Sequence, residues 1–595
     1  MLTDSLPELD YGRLLKVART LDALPASQTI RLALLSDAAT QQFVPVLKVL
    51  LRRNGFAAEI YEAPFDAIEL ECINPASGLY RFEPDAVVVL NSTQALRPDF
   101  LRRTGDGAAF ARDTCDRIGA IWTTLQAHSR ATILQSTFVL PYERFFGNYD
   151  RKTTQSFYSA VLDINARICE AARERAGVLL HDVDAIASWV GRRGFFDERF
   201  WDLWKAFCSL EHLPRVAQNI VDVLMASRGR AVKCVIVDLD NTLWGGIIGD
   251  DGLEGIKLSA HGDGEAFHRL QLYLKELHAR GILLGVCSKN EEAAALLPFQ
   301  NHPEMVLKRE DMTVFLANWD NKAKNIRRAR ELMNIGFDSI VFLDDSPFER
   351  NLVREVLPGV IVPELPEDPS DFVRFLSELN LFETTSFSAE DLARGDMYRR
   401  EIERREAAAG FAGVDDFMRS LAMRITVAPF DEFHLPRIVQ LLQRSNQFNL
   451  TTRRRGESEC EAIMSDPRVI PLYAKLSDRL GDHGLISIVI LEIRGDTLAI
   501  TDWLMSCRVL TRGVEQYLMN ELFARARALG KARVRGEYIS TSKNGMVRDF
   551  FAGFGFRCVS DAAGRTEWEL EVASYQPRPT LVTATAPAEK DMAVT

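Results

Sequence analysis

Two aspartates with one residue between them, Asp238 and Asp240, follow the short apolar run 234–237. Four consecutive apolar residues are typical of a strand buried on both faces of a parallel sheet, and ligands bind at the carboxyl ends of such strands. Two carboxylates crowded there, with no basic residue in the run, would repel each other unless a cation lay between them. Because Mg²⁺ binds carboxylate oxygens together with substrate phosphate, the pair predicts a magnesium site; a simple turn after a strand is the alternative.

Three further polar groups follow in an order that strengthens this prediction. A second apolar run ends at Ser288, and a third ends at Asp344 and Asp345. Between these two runs, Lys322 stands at the start of a basic helix. A helical pattern precedes the second run and is formed by Phe267, Leu270, Leu274 and Leu277. Alternating strands and helices predict a Rossmann-like unit in which these polar groups gather at strand ends.

This series resembles the four-part signature of the haloacid dehalogenase (HAD) superfamily of phosphotransferases. In such a site one aspartate attacks phosphorus, a second acts as acid and base, a hydroxyl and an ammonium hold the phosphoryl oxygens, and carboxylates bind Mg²⁺. The resemblance implies these roles, in that order, for Asp238, Asp240, Ser288 with Lys322, and Asp344 with Asp345, and it includes Asp238 and Asp240 among the metal ligands.

Two neighbouring positions complete this prediction. Asn290, two residues after Ser288, is expected to contact the substrate. Lys324 is the alternative to Lys322, but the spacing of Lys322 after Trp319 matches the family pattern better, and Lys324 has the character of a solvated helix charge.

The composition indicates a soluble multidomain protein. The chain has 595 residues, 47% of them hydrophobic, which predicts three or four domains with packed cores. Its net charge of −11 argues against a nucleic-acid binder. Nine scattered cysteines without zinc-site spacing are typical of free thiols in a reducing cytoplasm, and no run is long enough to span a membrane. We therefore predict a cytoplasmic protein.

Residues 1–225 predict a separate α/β domain. Strands are expected at 30–35, 57–61, 85–90 and 177–181, and polar residues follow several of them. The arrangement resembles SGNH-hydrolase-like domains. However, Ser36 has no glycine two residues before it in a Gly-Asp-Ser setting, and Asp184 has no histidine three residues on. A degenerate domain with a binding or docking role is therefore favoured over a hydrolase that uses Ser36 as nucleophile.

The rest of the chain divides at changes in composition. The HAD-like domain is expected at 226–369 and ends in a proline-rich exit; a charged helical linker follows at 370–420. A further α/β domain is expected at 421–574, and the segment 575–595, rich in Pro, Ala and Thr, predicts a disordered tail. The predicted fold class is thus multidomain α/β, with three Rossmann-like or GNAT-like units and a helical linker.

The last domain contains a strand, a polar loop and a helix in succession, which is a typical cradle for a pyrophosphate. It resembles a GNAT-type acyltransferase, in which such a loop holds the diphosphate or phosphopantetheine of an acyl carrier. Arg508, Arg512 and Gly513 are the predicted binding residues, whereas Thr511 replaces the usual glycine and disfavours ordinary acetyl-CoA binding. The polar run before it is expected at the acyl or pantetheine end of the site and comprises Asn446, Gln447, Asn449, Thr451 and Arg453.

Five segments together resemble the FkbH-like proteins, whose HAD domain is of the IIIC kind. They are Asp-Leu-Asp-Asn-Thr-Leu-Trp-Gly-Gly, Val-Cys-Ser-Lys-Asn, Phe-Leu-Asp-Asp-Ser-Pro, Asn-Gln-Phe-Asn-Leu-Thr-Thr-Arg-Arg and Ser-Cys-Arg-Val, in this order. The resemblance implies transfer of the glyceryl unit of 1,3-bisphosphoglycerate, with loss of its phosphate, to the phosphopantetheine thiol of an acyl carrier protein in a polyketide-type pathway. Mg²⁺ is the expected cofactor, with the carrier's phosphopantetheine or an acyl-CoA as acyl acceptor or donor.

A covalent relay would need an activated thiolate. Cys507, beside Arg508 and before a helix, is the favoured candidate; Cys287 is the second, although strand alternation would turn it away from Ser288. The alternative function is a HAD phosphatase fused to an N-acyltransferase that acts on a small amine or sugar. A non-enzymatic scaffold is disfavoured because every HAD residue type is present.

Overall fold

A computed structural model describes residues 9–585 except 27, 104–105, 393, 396, 401–417, 445–447, 480, 507–508, 511, 542–543 and 563. The chain divides into two compact units, Pro7–Met225 and Ala226–Thr595. The first has one sheet and the second has two, and each sheet packs against helices. The expected multidomain α/β fold is confirmed.

The first unit is built on a parallel sheet in the order β2-β1-β3-β4-β5. Its strands are β1 (Gln28–Ser36), β2 (Phe56–Glu62), β3 (Ala86–Leu90), β4 (Thr132–Ser136) and β5 (Val178–His181). Strand β3 is buried along its whole length, as expected for a strand covered on both faces. Strand β2 lies on one side of β1, whereas β3 and the later strands lie on the other side. A crevice is therefore expected at the carboxyl ends of β1 and β3, where the strand order changes direction.

Helices cover both faces of this sheet, and two separate apolar clusters fill the two interfaces. The helices are α1 (Tyr11–Ala18), α2 (Val44–Arg53), α3 (Ile68–Ile73), α4 (Gly78–Phe82), α5 (Thr93–Arg102), α6 (Gly107–His128), α7 (Phe157–Arg173), α8 (Val183–Val190), α9 (Arg192–Phe195), α10 (Glu198–Trp204) and α11 (Leu213–Ser227).

The second unit begins with a parallel sheet in the order β8-β7-β6-β9. Its strands are β6 (Cys234–Val237), β7 (Leu283–Ser288), β8 (Met312–Ala317) and β9 (Ile340–Leu343). The helices that follow or flank them are α12 (Ile248–Gly255), α13 (Glu265–Ala279), α14 (Glu292–Asn301), α15 (Lys322–Met333), α16 (Pro347–Val356), α17 (Phe372–Glu378) and α18 (Ala389–Leu392). Every residue of β6 and β9 is buried, which fixes the loops that follow them.

The second sheet of this unit is mainly antiparallel, in the order β16-β17-β15-β14-β13-β12-β10-β18, with β11 beside β14. Its strands are β10 (Arg424–Pro429), β11 (Phe448–Asn449), β12 (Val469–Asp478), β13 (Gly481–Arg494), β14 (Thr497–Met505), β15 (Arg533–Ile539), β16 (Arg557–Ala562), β17 (Arg565–Glu571) and β18 (Thr583–Ala584). Its helices are α19 (Leu435–Arg444), α20 (Glu457–Ser465), α21 (Val514–Ala528) and α22 (Phe550–Gly553).

The predicted disordered tail is wrong for residues 575–585. Tyr575 is buried and stacks on Phe523 with 3.8 Å between ring centroids, and β18 pairs with β10. The composition of this segment disfavours helix, but its few apolar side chains still anchor it to the sheet. The remainder of the tail, and the linker positions 393, 396 and 401–417, lie outside the described residues.

No helix among the described residues combines the length and the apolar character that crossing a membrane requires. The eight described cysteines are all free thiols. Five of them are buried (Cys72, Cys208, Cys234, Cys287 and Cys460), whereas Cys558 is exposed.

Candidate active site

The carboxyl end of β6 places Asp238 at the centre of a polar site. The backbone N–H of Asp238 donates to the carbonyl of Leu343 at the end of β9 (2.9 Å), so the neighbouring strand fixes where this residue leaves the sheet. Its side chain is buried. Oxygen Oδ1 has no hydrogen-bond partner among the described residues, which is a costly state for a buried carboxylate. This atom is therefore available to a ligand or a reacting group.

Lys322, the first residue of α15, reaches this carboxylate. Its Nζ lies 2.7 Å from Oδ2 of Asp238 and 2.5 Å from Oδ2 of Asp344, and the side chain is buried. Burial alone would lower the pKa of Lys322, but the two carboxylates outweigh it and raise that pKa above its ordinary value. Lys324 is exposed and pairs with Asp320 instead, so it is Lys322 that the fold brings to the site.

Three carboxylates meet here. Oxygen atoms of Asp238, Asp344 and Asp345 all lie within 4.8 Å of one another. Burial, and then the Asp238 charge, raise the pKa of both Asp344 and Asp345, because crowded buried carboxylates resist ionisation. A hard divalent cation would relieve this repulsion, and the orphaned Oδ1 of Asp238 supplies an unused ligand atom. The donor set therefore fits Mg²⁺.

Asp240 is placed differently from its prediction as a metal ligand. Its carboxylate does not belong to the three-residue cluster found among the described residues. Oxygen Oδ1 accepts from the indole of Trp244 (2.9 Å) and the backbone N–H of Ile248 (3.0 Å), and Oδ2 accepts from the amide of Asn290 (2.8 Å). The side chain thus has the fixed orientation that an acid/base group requires.

Strand β7 supplies Ser288, which is buried at the strand end. The side-chain amide of Asn290 donates to the Ser288 hydroxyl (3.2 Å) as well as to Asp240. Asn290 was predicted to contact the substrate, whereas in the structure its amide nitrogen contacts two other predicted site residues.

Three supporting residues were missed in the sequence reasoning. The guanidinium of Arg350 donates to the backbone carbonyls of Asp344 (2.8 Å) and Asp345 (2.7 Å), and the backbone N–H of Asp345 donates to Thr242 Oγ1 (3.2 Å). Trp244, described above, is the third. Thr242 and Trp244 lie within the Asp-x-Asp segment, so their position was a usable signal; nothing local marks Arg350.

Cys287 is poorly suited to carry an acyl group. It is fully buried on β7, its thiol donates to the backbone carbonyl of Lys322 (3.7 Å), and burial raises the pKa of that thiol. A buried thiol with a raised pKa is a weak nucleophile at neutral pH. Cys507, the favoured relay candidate, lies outside the described residues.

In the C-terminal sheet, the polar run fills a gap between two strands. Strands β14 and β15 pair only over 497–500 and 533–536. Beyond that point Phe448 and Asn449 pair with β14, Leu450 N–H donates to the carbonyl of Trp503 (3.0 Å), and Ile539 N–H donates to the carbonyl of Leu450 (2.8 Å). We call residues 448–451 the wedge segment; all four are buried.

The predicted binding residues of this run therefore have structural contacts. Asn449 lies within the wedge segment, and the Thr451 hydroxyl donates to the carbonyl of Thr501 (3.2 Å). The guanidinium of Arg453 donates to the same carbonyl (3.2 Å) and to Glu537 (2.7 Å). Asn446 and Gln447 lie outside the described residues.

The predicted cradle is described only at its end. Gly513 has a positive φ of 83° directly before α21, a conformation that favours glycine. Arg512 is buried, with Nη1 3.8 Å from the Asp478 carboxylate. Arg508 and Thr511 lie outside the described residues, so only Arg512 and Gly513 of the predicted cradle are described.

In the N-terminal unit the Ser36 hydroxyl is already engaged. It donates to the carbonyl of Leu90 (3.0 Å) and accepts from the N–H of Ala38 (3.0 Å). Asp37 accepts from the N–H of Ser92 (2.8 Å), and burial raises its pKa to about 6. These contacts tie the ends of β1 and β3 together.

Comparison with known proteins found a matching family profile and a matching solved structure. A family profile described as the FkbH N-terminal domain matches residues 31–225. The crystal structure of the N-terminal part of BF1531 from Bacteroides fragilis, which contains a phosphatase domain and was solved with Mg, is 38% identical. The match covers 64% of this chain and 100% of that chain, with a TM-score of 0.60. A search of curated proteins found no match.

The fold and the site together define a phosphatase domain of the HAD kind. With the two matches above, the chain belongs to the FkbH family.

Two acetyltransferases match about a quarter of the chain. The first is the ribosomal-protein-S18-alanine N-acetyltransferase of Escherichia coli, which is 14% identical; the match covers 25% of this chain and 94% of that chain, with a TM-score of 0.20. The second is the spermidine N-acetyltransferase of Vibrio cholerae, which is 13% identical; the match covers 25% of this chain and 97% of that chain, with a TM-score of 0.21. Likeness at this level does not decide what the C-terminal sheet does.

Proposed function

We propose that the protein is a magnesium-dependent glyceryl transferase and phosphatase. It takes the glyceryl unit of 1,3-bisphosphoglycerate, places it on the phosphopantetheine thiol of an acyl carrier protein, and removes the remaining phosphate at Asp238. The observation that carries the phosphatase half is the buried contact between Lys322 and Asp238, beside an Asp238 oxygen without a partner. FkbH family membership supports the transfer half.

The phosphatase reaction has two steps. In the first, a carboxylate oxygen of Asp238 attacks phosphorus, the bond from phosphorus to the ester oxygen breaks, and Asp240 gives a proton to the departing oxygen. In the second, water attacks the aspartyl phosphate and gives a proton to Asp240, while the Asp238 carboxylate is released with inorganic phosphate. Lys322 and Ser288 hold the phosphoryl oxygens in both steps.

Asp238, Asp344 and Asp345 would hold the metal ion. When bound, Mg²⁺ supplies positive charge that stabilises the phosphoryl oxygens in the transition state. The magnesium in the Bacteroides fragilis structure supports this choice of ion.

The transfer half forms a thioester. The Cys507 thiolate attacks the acyl carbon of 1,3-bisphosphoglycerate, the bond from that carbon to the phosphate oxygen breaks, and inorganic phosphate leaves. The phosphopantetheine thiolate of the carrier then attacks the same carbon, and the bond from that carbon to the Cys507 sulfur breaks, which returns the Cys507 thiolate. Cys507 remains the favoured relay thiol, because the burial of Cys287 and its raised pKa argue against the other candidate.

The test incubates the full-length protein with Mg²⁺, 1,3-bisphosphoglycerate and a panel of phosphopantetheinylated carrier proteins, and weighs every protein by intact-mass spectrometry. We expect a glyceryl adduct on one carrier, replaced in Asp238→Asn by a phosphoglyceryl adduct. Phosphate release without any acylated carrier would contradict the transfer half and favour an amine acyltransferase. A phosphoglyceryl adduct on the carrier that persists with the wild-type protein would contradict the phosphatase half.

A further inference from the structure

The carboxylate of Asp240 is held by three N–H donors. Two of them, the indole of Trp244 and the backbone of Ile248, reach Oδ1, and the amide of Asn290 reaches Oδ2. Because the donors approach both oxygens, the carboxylate can neither rotate nor shift without breaking at least one hydrogen bond. Only Asp240 and Asn290 among these residues have a role assigned above.

The Trp244 ring is fixed independently of this hydrogen bond. It is fully buried in the apolar cluster beneath the site and makes an edge contact with Phe299, with 6.1 Å between centroids. The connecting turn is closed by Asn241, which has a positive φ of 52° and whose side chain accepts from the N–H of Gly246 (2.9 Å). The core therefore aims the indole N–H at Asp240.

Asn290 links two parts of the reaction. Its amide nitrogen donates to Asp240 and to the hydroxyl of Ser288. A hydroxyl that accepts a hydrogen bond keeps its own hydrogen to donate elsewhere, so Ser288 can direct that hydrogen to a phosphoryl oxygen. A single amide thus sets the orientation of both the acid/base group and a phosphate-binding group.

We propose that Trp244 and Asn290 are positioning residues of the phosphatase reaction, and that they act through Asp240 and, for Asn290, also through Ser288. This inference rests on the proposed phosphatase activity. It assigns to Trp244 a role in proton transfer in addition to packing.

The positioning of Asp240 by Trp244 and Asn290 should be visible in the kinetics of phosphate-ester hydrolysis. p-Nitrophenolate leaves without needing a proton, so the formation of aspartyl phosphate from p-nitrophenyl phosphate should hardly depend on the placement of Asp240. The hydrolysis of aspartyl phosphate needs Asp240 to take a proton from water. Loosening Asp240 should therefore slow the second step selectively.

The first experiment compares Trp244→Phe with Trp122→Phe in the full-length protein with Mg²⁺. Trp122 is equally buried and also donates its indole N–H, to Gln135 (3.0 Å), but it lies in the other unit. In Trp244→Phe, stopped-flow mixing with p-nitrophenyl phosphate should show a burst of about one product per enzyme and a steady rate lowered about 10-fold, the low end of acid–base contributions. Trp122→Phe should behave like the wild type.

Loss of folded protein would reduce the rate and any burst together, so it would not create a burst. A Trp244→Phe variant without a burst, or one that matches Trp122→Phe, would overturn the role of Trp244. A wild-type protein that hydrolyses no phosphate ester would instead contradict the proposed function itself.

The second experiment repeats the substitutions in an Asp240→Asn background. If Trp244 acts through Asp240, adding Trp244→Phe should change the residual rate less than twofold, because residues that act as a unit are not additive. Asn290→Leu should retain an effect there, owing to its second contact with Ser288, and should lose it when Ser288→Ala is also present. A further full loss from Trp244→Phe in the Asp240→Asn background would overturn the proposal.

Discussion

The ammonium nitrogen of Lys322 lies 2.7 Å from the carboxylate of Asp238, in a setting where both side chains are buried. Lys322, at the start of α15, and Asp238, directly after β6, are 84 positions apart in the chain, and the parallel sheet brings them together. This contact places a positive charge beside the proposed nucleophile, where an anionic phosphate would bind under the proposed function.

Replacing Lys322 by Met should lower phosphatase activity by about 10²- to 10³-fold, as for other groups that stabilise transition-state charge. The side chain keeps its length and loses its charge. Lys324→Met is the matched control, because Lys324 is exposed and pairs with Asp320. Initial rates with p-nitrophenyl phosphate measure both, and an inactive Lys324→Met with an active Lys322→Met would reverse the assignment.

Replacing Asp345 by Asn should weaken the binding of Mg²⁺. Asp345 is one of the three clustered carboxylates. We expect the Mg²⁺ concentration for half-maximal activity to rise by at least about 10- to 100-fold, the effect known for groups that only support a ligand. Asp320→Asn, a half-exposed carboxylate outside the cluster, should leave the titration unchanged. Equal Mg²⁺ curves for Asp345→Asn and the wild type would exclude this residue as a ligand.

Removing Asn544 should loosen the wedge segment. Its side-chain amide donates to the carbonyls of Asn449 (2.9 Å) and Ile539 (2.8 Å), and the residue is fully buried. Asn544→Ala should cost about 1–3 kcal/mol for each buried group left without a partner. Hydrogen–deuterium exchange should speed up at the amides of Leu450 and Ile539 and stay unchanged in β6. Exchange rates of the Leu450 and Ile539 amides that are the same in Asn544→Ala and in the wild type would show that the segment is held without Asn544.

Stability of the N-terminal unit should fall as the pH rises through about 6. Burial raises the folded-state pKa of Asp37 from 3.8 to about 6, so the folded state binds the proton more tightly than the unfolded chain. The resulting stability, on the order of 3 kcal/mol, is fully present below pH 3.8 and is lost as the pH passes about 6.

Asp37→Asn should remove this dependence, whereas Asp116→Asn, an exposed carboxylate on α6, should not. Exchange rates of β1 and β3 amides between pH 4 and pH 7, corrected for intrinsic exchange, measure the difference. The same slope in Asp37→Asn and the wild type would contradict the assignment.

The proximity of the HAD-like residues could be predicted from the sequence because several of them directly follow apolar runs. Asp238, Ser288 and Asp344 each come at the end of a buried strand, and strand ends in a parallel sheet meet at one edge. The orientation of Asp240 could not be predicted, since its partners Trp244 and Asn290 depend on how a turn and a second strand pack.

Other features depended on contacts distant in sequence. Strand β4 was not predicted, because its buried Gln135 and Ser136 interrupt the apolar pattern. Asn449 and Thr451 are predicted to bind a ligand; in the structure the backbone of Asn449 pairs with β14, and the Thr451 hydroxyl donates to the carbonyl of Thr501. A polar residue indicates hydrogen bonding but does not indicate with which partner.

The wedge segment has a consequence for assembly. Where β14 and β15 separate, each would present unpaired N–H and carbonyl groups to any extended chain nearby, and such edges promote association between molecules. Leu450 occupies both edges at once, through Trp503 on one side and Ile539 on the other. Leu450 therefore removes two pairing edges at which association between molecules could otherwise begin.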